Sequence, residues 1–192
     1  MSGLGLPAPF RLAGFEGTFA EYVERLWWTY RAMMRETPIV LWGRPVTGGS
    51  SAGDMRDDAL FWHLVTDSVD GADGAARPRR LSLGRMAHLG TLWAVLELLE
   101  RDDPRVRWWR ESEGGAQHTY VAPRDLSYVV VLLERPSCFV LRTAYPVDGR
   151  MCKLLRARAR EGAPHATPRP VPRAKPELVR SPGAVERVRR WI

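Results

Sequence analysis

Apolar residues of this chain recur at helical spacing in two long segments. The first follows Thr18, which together with Glu21 forms the pattern of a capping box, and its broad apolar face predicts a helix to about Arg35. Thr37-Pro38 ends this helix, because a residue before proline disfavours helical backbone. In the second segment, residues 83–101, leucines, Met86 and Trp93 repeat with the same period and predict another helix.

Strand-like patterns dominate the later part of the chain. The clearest strands are residues 128–133 and 138–145, joined by a turn at Arg135-Pro136-Ser137. Weaker strand patterns occur at 39–42, 105–110 and 119–121. Residues 60–65 are apolar, and periodicity does not decide between a strand and the end of a helix. Residues 46–58 and 67–80 have loop composition, and 153–160 predict a basic helix.

This order of elements predicts an α+β fold, an antiparallel sheet with helices packed on one face. The other face of such a sheet is free to hold a ligand. We expect an irregular N-terminus (1–17), a single α+β domain (18–160), and a Pro/Arg-rich C-terminal tail (161–192). A short helix can start in this tail after Ser181-Pro182, where a capping residue precedes proline.

Charge points to a polyanionic partner. The chain has 192 residues, a net charge of +7 and a sequence pI of about 10.1, and basic proteins attract phosphates by displacing their counterions. Cys138 and Cys152 form no C-x-x-C pair, and no Cys/His cluster has zinc spacing, so we expect neither a metal nor a cofactor. The chain shows neither a secretory leader pattern nor an apolar run of the roughly 20 residues that span a bilayer, so the cytoplasm is the expected compartment.

Four segments carry a family resemblance. They read Phe61-Trp62-His63-Leu64-Val65-Thr66, Arg79-Arg80-Leu81, Tyr128-Val129-Val130-Val131-Leu132-Leu133-Glu134-Arg135 and Leu141-Arg142-Thr143-Ala144-Tyr145-Pro146-Val147. Their order resembles the barnase/EndoU/colicin/RelE-like nuclease superfamily, in its phage and bacterial toxin branch. The resemblance covers about residues 55–158.

The resemblance implies a metal-independent endoribonuclease toxin of a toxin–antitoxin or phage-defence system. Such enzymes cleave RNA by attack of the ribose 2′-OH on the adjacent phosphate. That reaction needs a base at the 2′-OH, an acid at the leaving oxygen, and cations around the phosphorane. The implied partners are RNA (tRNA, mRNA or ribosome-associated) and a cognate antitoxin protein, without a membrane.

His63 is the predicted acid/base residue, because histidine exchanges protons near neutral pH. Spacing alone slightly favours a buried structural histidine, and the resemblance reverses that preference. Arg80 is the predicted catalytic cation, since a guanidinium can hold two phosphate oxygens. No carboxylate in the sequence is recognisable as a partner of His63, and Glu134 beside the turn is expected to be exposed.

The last strand supplies two further candidates. Strand side chains alternate, so Thr143 and Tyr145 should share one face with Leu141, while Arg142 and Ala144 should share the other. On an open face Thr143 can hydrogen-bond a phosphate oxygen, and Tyr145 can do so or stack on a base. Packing in the core is the alternative for both.

Other residues are predicted to bind RNA or are secondary candidates for the catalytic site. The predicted RNA-binding residues are Arg79, Arg85, Lys153 and Arg156. For Arg79 or Arg85 alone, a solvated basic loop is an equally good explanation. His118 and Tyr120 are secondary candidates with structural roles favoured. Two other functions stay open: a non-catalytic RNA- or DNA-binding regulatory protein, and an ADP-ribosyltransferase-like toxin.

Overall fold

A computed structural model describes residues 6–36, 38–48, 54–68 and 79–161. The expected helix after Ser181-Pro182 lies outside the described residues, as does the tail after residue 161. In chain order the elements are α1 (Phe19–Arg31), β1 (Val40–Leu41), β2 (Arg44–Thr47), α2 (Ala59–Val65), β3 (Thr66–Ser68), β4 (Arg79–Leu81), α3 (Leu83–Ala87), α4 (Leu89–Glu100), β5 (Val106–Glu113), β6 (Ala116–Pro123), β7 (Tyr128–Glu134), β8 (Phe139–Pro146) and α5 (Gly149–Glu161).

Helix α1 begins as the sequence predicts. The backbone N–H of Glu21 donates to the Thr18 hydroxyl at 3.3 Å, and the Thr18 N–H donates back to the Glu21 carboxylate at 2.6 Å. This capping box satisfies two N–H groups that a helix start leaves unpaired. After Arg31 the backbone widens into a π-helical turn, Ala32–Glu36, which ends just before Thr37-Pro38.

The predicted helix over residues 83–101 is divided. His88 has φ −101° and ψ 9°, outside helical geometry, and it separates α3 from α4. The large apolar residues of α4 that are buried in the core are Leu89, Leu92, Trp93, Val95, Leu96 and Leu99. Residues 60–65, which periodicity left open, form α2, whose first turn is capped by Asp58 through a 2.9 Å hydrogen bond from the Phe61 N–H.

Strands β5 to β8 form an antiparallel meander, and β8 continues the sheet to β2 and β1 in the order β1-β2-β8-β7-β6-β5. The predicted turn between β7 and β8 is confirmed, because the Arg135 N–H donates to the Cys138 carbonyl at 2.9 Å. Gly114 and Gly115 connect β5 to β6 with φ values of 57° and 77°, which favour glycine. This two-residue turn fixes the register that pairs Glu111 with His118.

Two segments predicted as loops, 46–58 and 67–80, include residues that form short strands. Val46 and Thr47 belong to β2, which pairs in parallel with β8. Asp67 and Ser68 belong to β3, which pairs with β4 as a separate two-stranded ribbon. Composition did not indicate these two strands, because each has few residues and is stabilised by pairing with a strand distant in sequence.

The fold is α+β, as predicted. A large apolar core lies between the sheet and helices α1 to α4, and it takes Val130, Leu132 and Ala144 from the sheet. The opposite face carries a smaller cluster that includes Val129 and Val131 and is covered by Leu155 of α5. The predicted free face is thus partly covered by one helix. Burial on both faces explains why β7 reads as a continuous apolar run.

A β-bulge changes the predicted faces of β8. Leu132 pairs with Leu141, whereas Val131 pairs with Thr143, so Arg142 is an extra residue without a partner in the register. Leu141 therefore packs in the large core, on the face opposite to Thr143, and its predicted position beside Thr143 is wrong. Thr143 and Tyr145 do share a face, because the alternation is regular after the bulge.

Within the described ranges, no helix is both long and apolar enough to cross a bilayer.

Candidate functional site

A cavity of about 620 Å³ lies on the face of the sheet that α5 partly covers. Its walls come from β6 and β8, from α5, and from the side of α2. The polar and ionisable residues that line it come from five elements, and they are His63, Glu113, His118, Tyr120, Arg142, Thr143, Tyr145 and Arg158. The fold thus brings together three of the four predicted catalytic residues, His63, Thr143 and Tyr145.

His63 lies in α2, and two arginines hold the end of that helix. Its carbonyl oxygen accepts hydrogen bonds from Arg79 Nη2 at 3.1 Å and from Arg85 Nη1 at 3.4 Å. The last carbonyls of a helix lack backbone partners, so guanidinium donors stabilise this end and interact favourably with the helix dipole. They also fix the backbone from which the His63 side chain reaches the cavity.

The surroundings of His63 favour its neutral form. Burial lowers the pKa of its imidazole, and the positive charges of Arg79, Arg85 and Arg142 lower it further. The imidazole is therefore uncharged at neutral pH, which is the state required of a general base.

Arg79 and Arg85 are engaged within the protein, which argues against their predicted role as free phosphate ligands. Arg79 Nε donates to Thr66 Oγ1 at 2.7 Å. Arg85 Nε lies 2.5 Å from Asp67 Oδ1, and its guanidinium carbon lies 5.2 Å from the centre of the Tyr145 ring. Arg85 thus contacts both the segment that carries His63 and the strand that carries Tyr145.

Tyr145 enters the cavity from the end of β8. Burial raises the pKa of its phenol, although the nearby charges of Arg85 and Arg158 oppose this rise. The hydroxyl therefore remains protonated at neutral pH and can donate a hydrogen bond. Thr143, two residues earlier on the same face, offers a second hydroxyl.

Strand β6 and its neighbour contribute residues that the sequence argument ranked low or missed. His118 and Tyr120, the secondary candidates, both line the cavity, and Glu113 does so from β5. Strand alternation alone puts His118 and Tyr120 on one face, so this signal was available in the sequence. The position of Glu113 depends on the β5–β6 turn and on how the sheet curves, which the sequence pattern does not give.

A charged pair borders this part of the cavity. Arg158 of α5 lies 3.4 Å from a carboxylate oxygen of Glu111, whose other oxygen accepts from Trp109 Nε1 at 2.8 Å. Trp109 in turn stacks on Tyr120, with ring centres 5.3 Å apart and an interplanar angle of 14°. These contacts anchor Arg158 at the cavity wall, whereas the sequence analysis placed this residue only within the basic helix predicted at 153–160.

Five predicted residues do not line the cavity: Arg79 and Arg85, which hold the end of α2, and three exposed residues. Arg80 is exposed on β4, and Lys153 and Arg156 are exposed on α5, and none of the three lines the cavity. Within the described residues, Arg142 and Arg158 are the arginines that line it. Regular alternation of side chains along β8 would have placed Arg142 on the core face with Ala144. The bulge breaks this alternation and leaves Arg142 at the cavity.

Glu134 was expected to be exposed, and this expectation is wrong. Its side chain is 13% exposed and lies 2.6 Å from Arg110 Nε and 3.5 Å from Arg44 Nη2. Thr119 donates its hydroxyl to the same carboxylate at 2.5 Å. Glu134 is therefore fully engaged in an ion cluster away from the cavity.

The net charge is unevenly distributed along the chain. Residues 162–192 contain seven Lys or Arg residues and two Glu residues, so they contribute +5 of the total of +7. Residues 1–161 contribute only +2. The two arginines of the cavity lie with Glu113 in the same lining, and Arg158 is paired with Glu111, so local placement and not a strongly basic domain sets the charge of the cavity.

No three His, Cys, Asp or Glu side chains gather as a metal site would require in the part of the chain that the structure describes. Comparisons with protein-family models, with curated proteins and with solved structures found no match. The resemblance to the nuclease superfamily therefore rests on the four sequence segments alone.

Proposed function

We propose that this protein is an endoribonuclease that cleaves RNA in the cavity on the β6–β8 face. The observation that carries the proposal is the convergence of His63, Thr143 and Tyr145 with His118 and two arginines in one cavity. These side chains come from separate parts of the sequence. They supply the base, acid, hydroxyl donors and cations that phosphodiester cleavage requires.

In the proposed reaction the ribose 2′-oxygen attacks the adjacent phosphorus and the bond to the 5′-oxygen breaks. Neutral His63 takes the proton of the 2′-OH, since its lowered pKa keeps the ring unprotonated. His118, which lines the same cavity, gives a proton to the leaving 5′-oxygen. The products are a 2′,3′-cyclic phosphate and a 5′-hydroxyl, so protons and bonds balance without another reactant.

Charge builds on the non-bridging oxygens of the pentavalent phosphate during this step. Arg142 and Arg158 line the cavity and can neutralise that charge, a role for which Arg80 was first predicted. The hydroxyls of Thr143 and Tyr145 can donate hydrogen bonds to the same oxygens. Fixed donors of this kind lower the barrier because they need no reorganisation as the charge forms.

The proposed biological setting is a toxin of a toxin–antitoxin or phage-defence system. An RNA-cleaving enzyme harms the cell that makes it unless a second protein neutralises it, so we propose a cognate antitoxin as its partner. The exposed cations Lys153 and Arg156 on α5 would bind RNA backbone outside the cavity. They also support the alternative, an RNA-binding regulator that does not cleave.

The test is incubation of the purified full chain with end-labelled RNA in buffer with EDTA. We expect products that end in 2′,3′-cyclic phosphate, and a loss of at least about 100-fold in rate for His63→Ala, the contribution typical of general base catalysis. His88→Ala is the matched control, because His88 lies between α3 and α4 and does not line the cavity. Salt-dependent RNA binding without products would favour the regulator and refute the enzyme.

A further inference from the structure

A second cavity, of about 580 Å³, lies along α1 and shares no lining residue with the proposed active site. Its apolar wall includes Phe15, Met33 and Trp28. The Trp28 side chain is 52% exposed, although it is the largest kind of apolar side chain. An exposed indole beside a concave apolar surface marks a place where another segment can be buried.

The rim of this α1 groove is acidic. Glu16, Glu24 and Glu36 line it, and Glu24 accepts a 3.4 Å hydrogen bond from Trp28 Nε1. Glu21 lines it too, but its carboxylate is engaged in the capping box. Among the residues that the structure describes, Arg25 is the one cation in this lining, and the guanidinium of Arg31 lies 5.3 Å from the centre of the Trp28 ring. An acidic rim around an apolar floor selects an occupant that combines apolar side chains with positive charge.

The chain itself contains such a segment. Residues 185–192 read Val185-Glu186-Arg187-Val188-Arg189-Arg190-Trp191-Ile192. The two valines and the final isoleucine are separated by three and four residues, which is the spacing of one face of a helix. The three arginines lie between them in sequence, in a region that carries most of the net positive charge.

We propose that residues 185–192 dock in the α1 groove, with the apolar stripe against Trp28 and Met33 and the arginines facing Glu16, Glu24 and Glu36. An apolar helix face that binds a groove through residues at this spacing is a recurrent recognition mode. The docking is independent of the proposed RNA cleavage, because the groove and the active-site cavity have separate linings.

The connection is long enough for this contact. The segment 162–184 can span up to about 75 Å when extended, because each residue advances the chain by about 3.3 Å. A compact domain of about 150 residues measures roughly 40 Å across. Tethering also gives the segment an effective concentration in the millimolar range, so weak charge and apolar contacts are sufficient.

The test uses the full chain with the photo-crosslinking residue p-benzoylphenylalanine in place of Trp191. After irradiation of a dilute sample, we expect crosslinks within one molecule to residues 15–36, located by mass spectrometry. Crosslinks to other parts of the domain, or between two molecules, would overturn the proposal. If the photo-residue reacts with added RNA and not with residues 15–36, the segment is an RNA-binding arm and the proposal is refuted.

Charge reversal provides the second test. Glu16→Lys combined with Glu24→Lys should lower the docking constant about tenfold, equivalent to about 1.4 kcal/mol, and should reduce the crosslink accordingly. Adding Arg187→Glu and Arg190→Glu to the same protein should restore the crosslink. A crosslink that is insensitive to the first pair, or that the second pair does not restore, would contradict the proposal.

The matched control is Asp57→Lys combined with Glu97→Lys, which changes the net charge equally at exposed positions outside the groove. This control should leave the crosslink unchanged. Thermal unfolding of each variant separates loss of docking from loss of fold. Glu21 is left intact because its carboxylate caps α1.

Discussion

Substitution of Leu155 by alanine tests whether α5 is held on the sheet by one buried side chain. Leu155 is 1% exposed and packs in the small cluster with Trp109 and Val131, whereas the other apolar residues of α5 that pack there are only partly buried. A 13-residue helix is marginal in water by itself, so packing against the sheet must supply most of its stability. Leu155→Ala should therefore loosen α5 more than it affects the rest of the domain.

The magnitude follows from the burial of the side chain. Replacing a fully buried leucine by alanine costs about 2–5 kcal/mol, through lost apolar transfer and the cavity left behind. The neighbouring residue Leu154 is 45% exposed, so Leu154→Ala should change the free energy of unfolding by less than about 0.5 kcal/mol. The two substitutions remove the same atoms from adjacent positions and differ in burial.

Two measurements check this prediction. Denaturant unfolding gives the loss of global stability, and hydrogen exchange of residues 149–161 reports the local opening of α5. Because α5 carries Arg158 to the cavity, Leu155→Ala should also reduce RNA cleavage in the proposed enzyme. Equal losses in the free energy of unfolding for Leu154→Ala and Leu155→Ala, or unchanged exchange in α5, would refute the assignment of Leu155 as the anchor of this helix.

Three further predictions concern the candidate site and the start of α1. Burial and three arginines lower the pKa of His63 from 6.5, so the rate of RNA cleavage should fall on acidification only below pH 6.5. An acid limb of the pH–rate profile centred above pH 6.5 would contradict the role of His63 as the base. Arg85→Met removes one of these charges and should move that limb to higher pH, whereas Arg85→Lys should leave it nearly in place. Thr18→Ala removes the capping box and should lower the free energy of unfolding by about 0.5–2 kcal/mol, measured by denaturant titration. A change below about 0.3 kcal/mol would mean that water replaces the cap.

The sequence by itself determined the elements whose signals are local. The capping box at Thr18, the apolar faces of α1 and α4, and the strands around Arg135-Pro136-Ser137 were all predictable, because capping, helical periodicity and turn composition act over a few residues. The α+β class followed from the order of these elements. His63, Thr143 and Tyr145 were selected as candidates from the sequence, through the four segments that resemble the nuclease superfamily, and the structure places all three in one cavity.

Tertiary structure decided which of these residues meet. The bulge at Arg142 puts Leu141 on the face of β8 opposite to Thr143 and Tyr145, and nothing in the alternation of residues 138–145 indicates it, since the extra residue is defined only by the pairing with β7. Likewise, Arg79 and Arg85 bind the end of α2 because β4 and α3 pack beside it, a contact between segments distant in sequence. The chemistry of a side chain is set by its residue type, whereas the residues it contacts depend on strand register and helix packing. The sequence therefore indicated which residue types the candidate site contains, and the tertiary structure decided which residues line it.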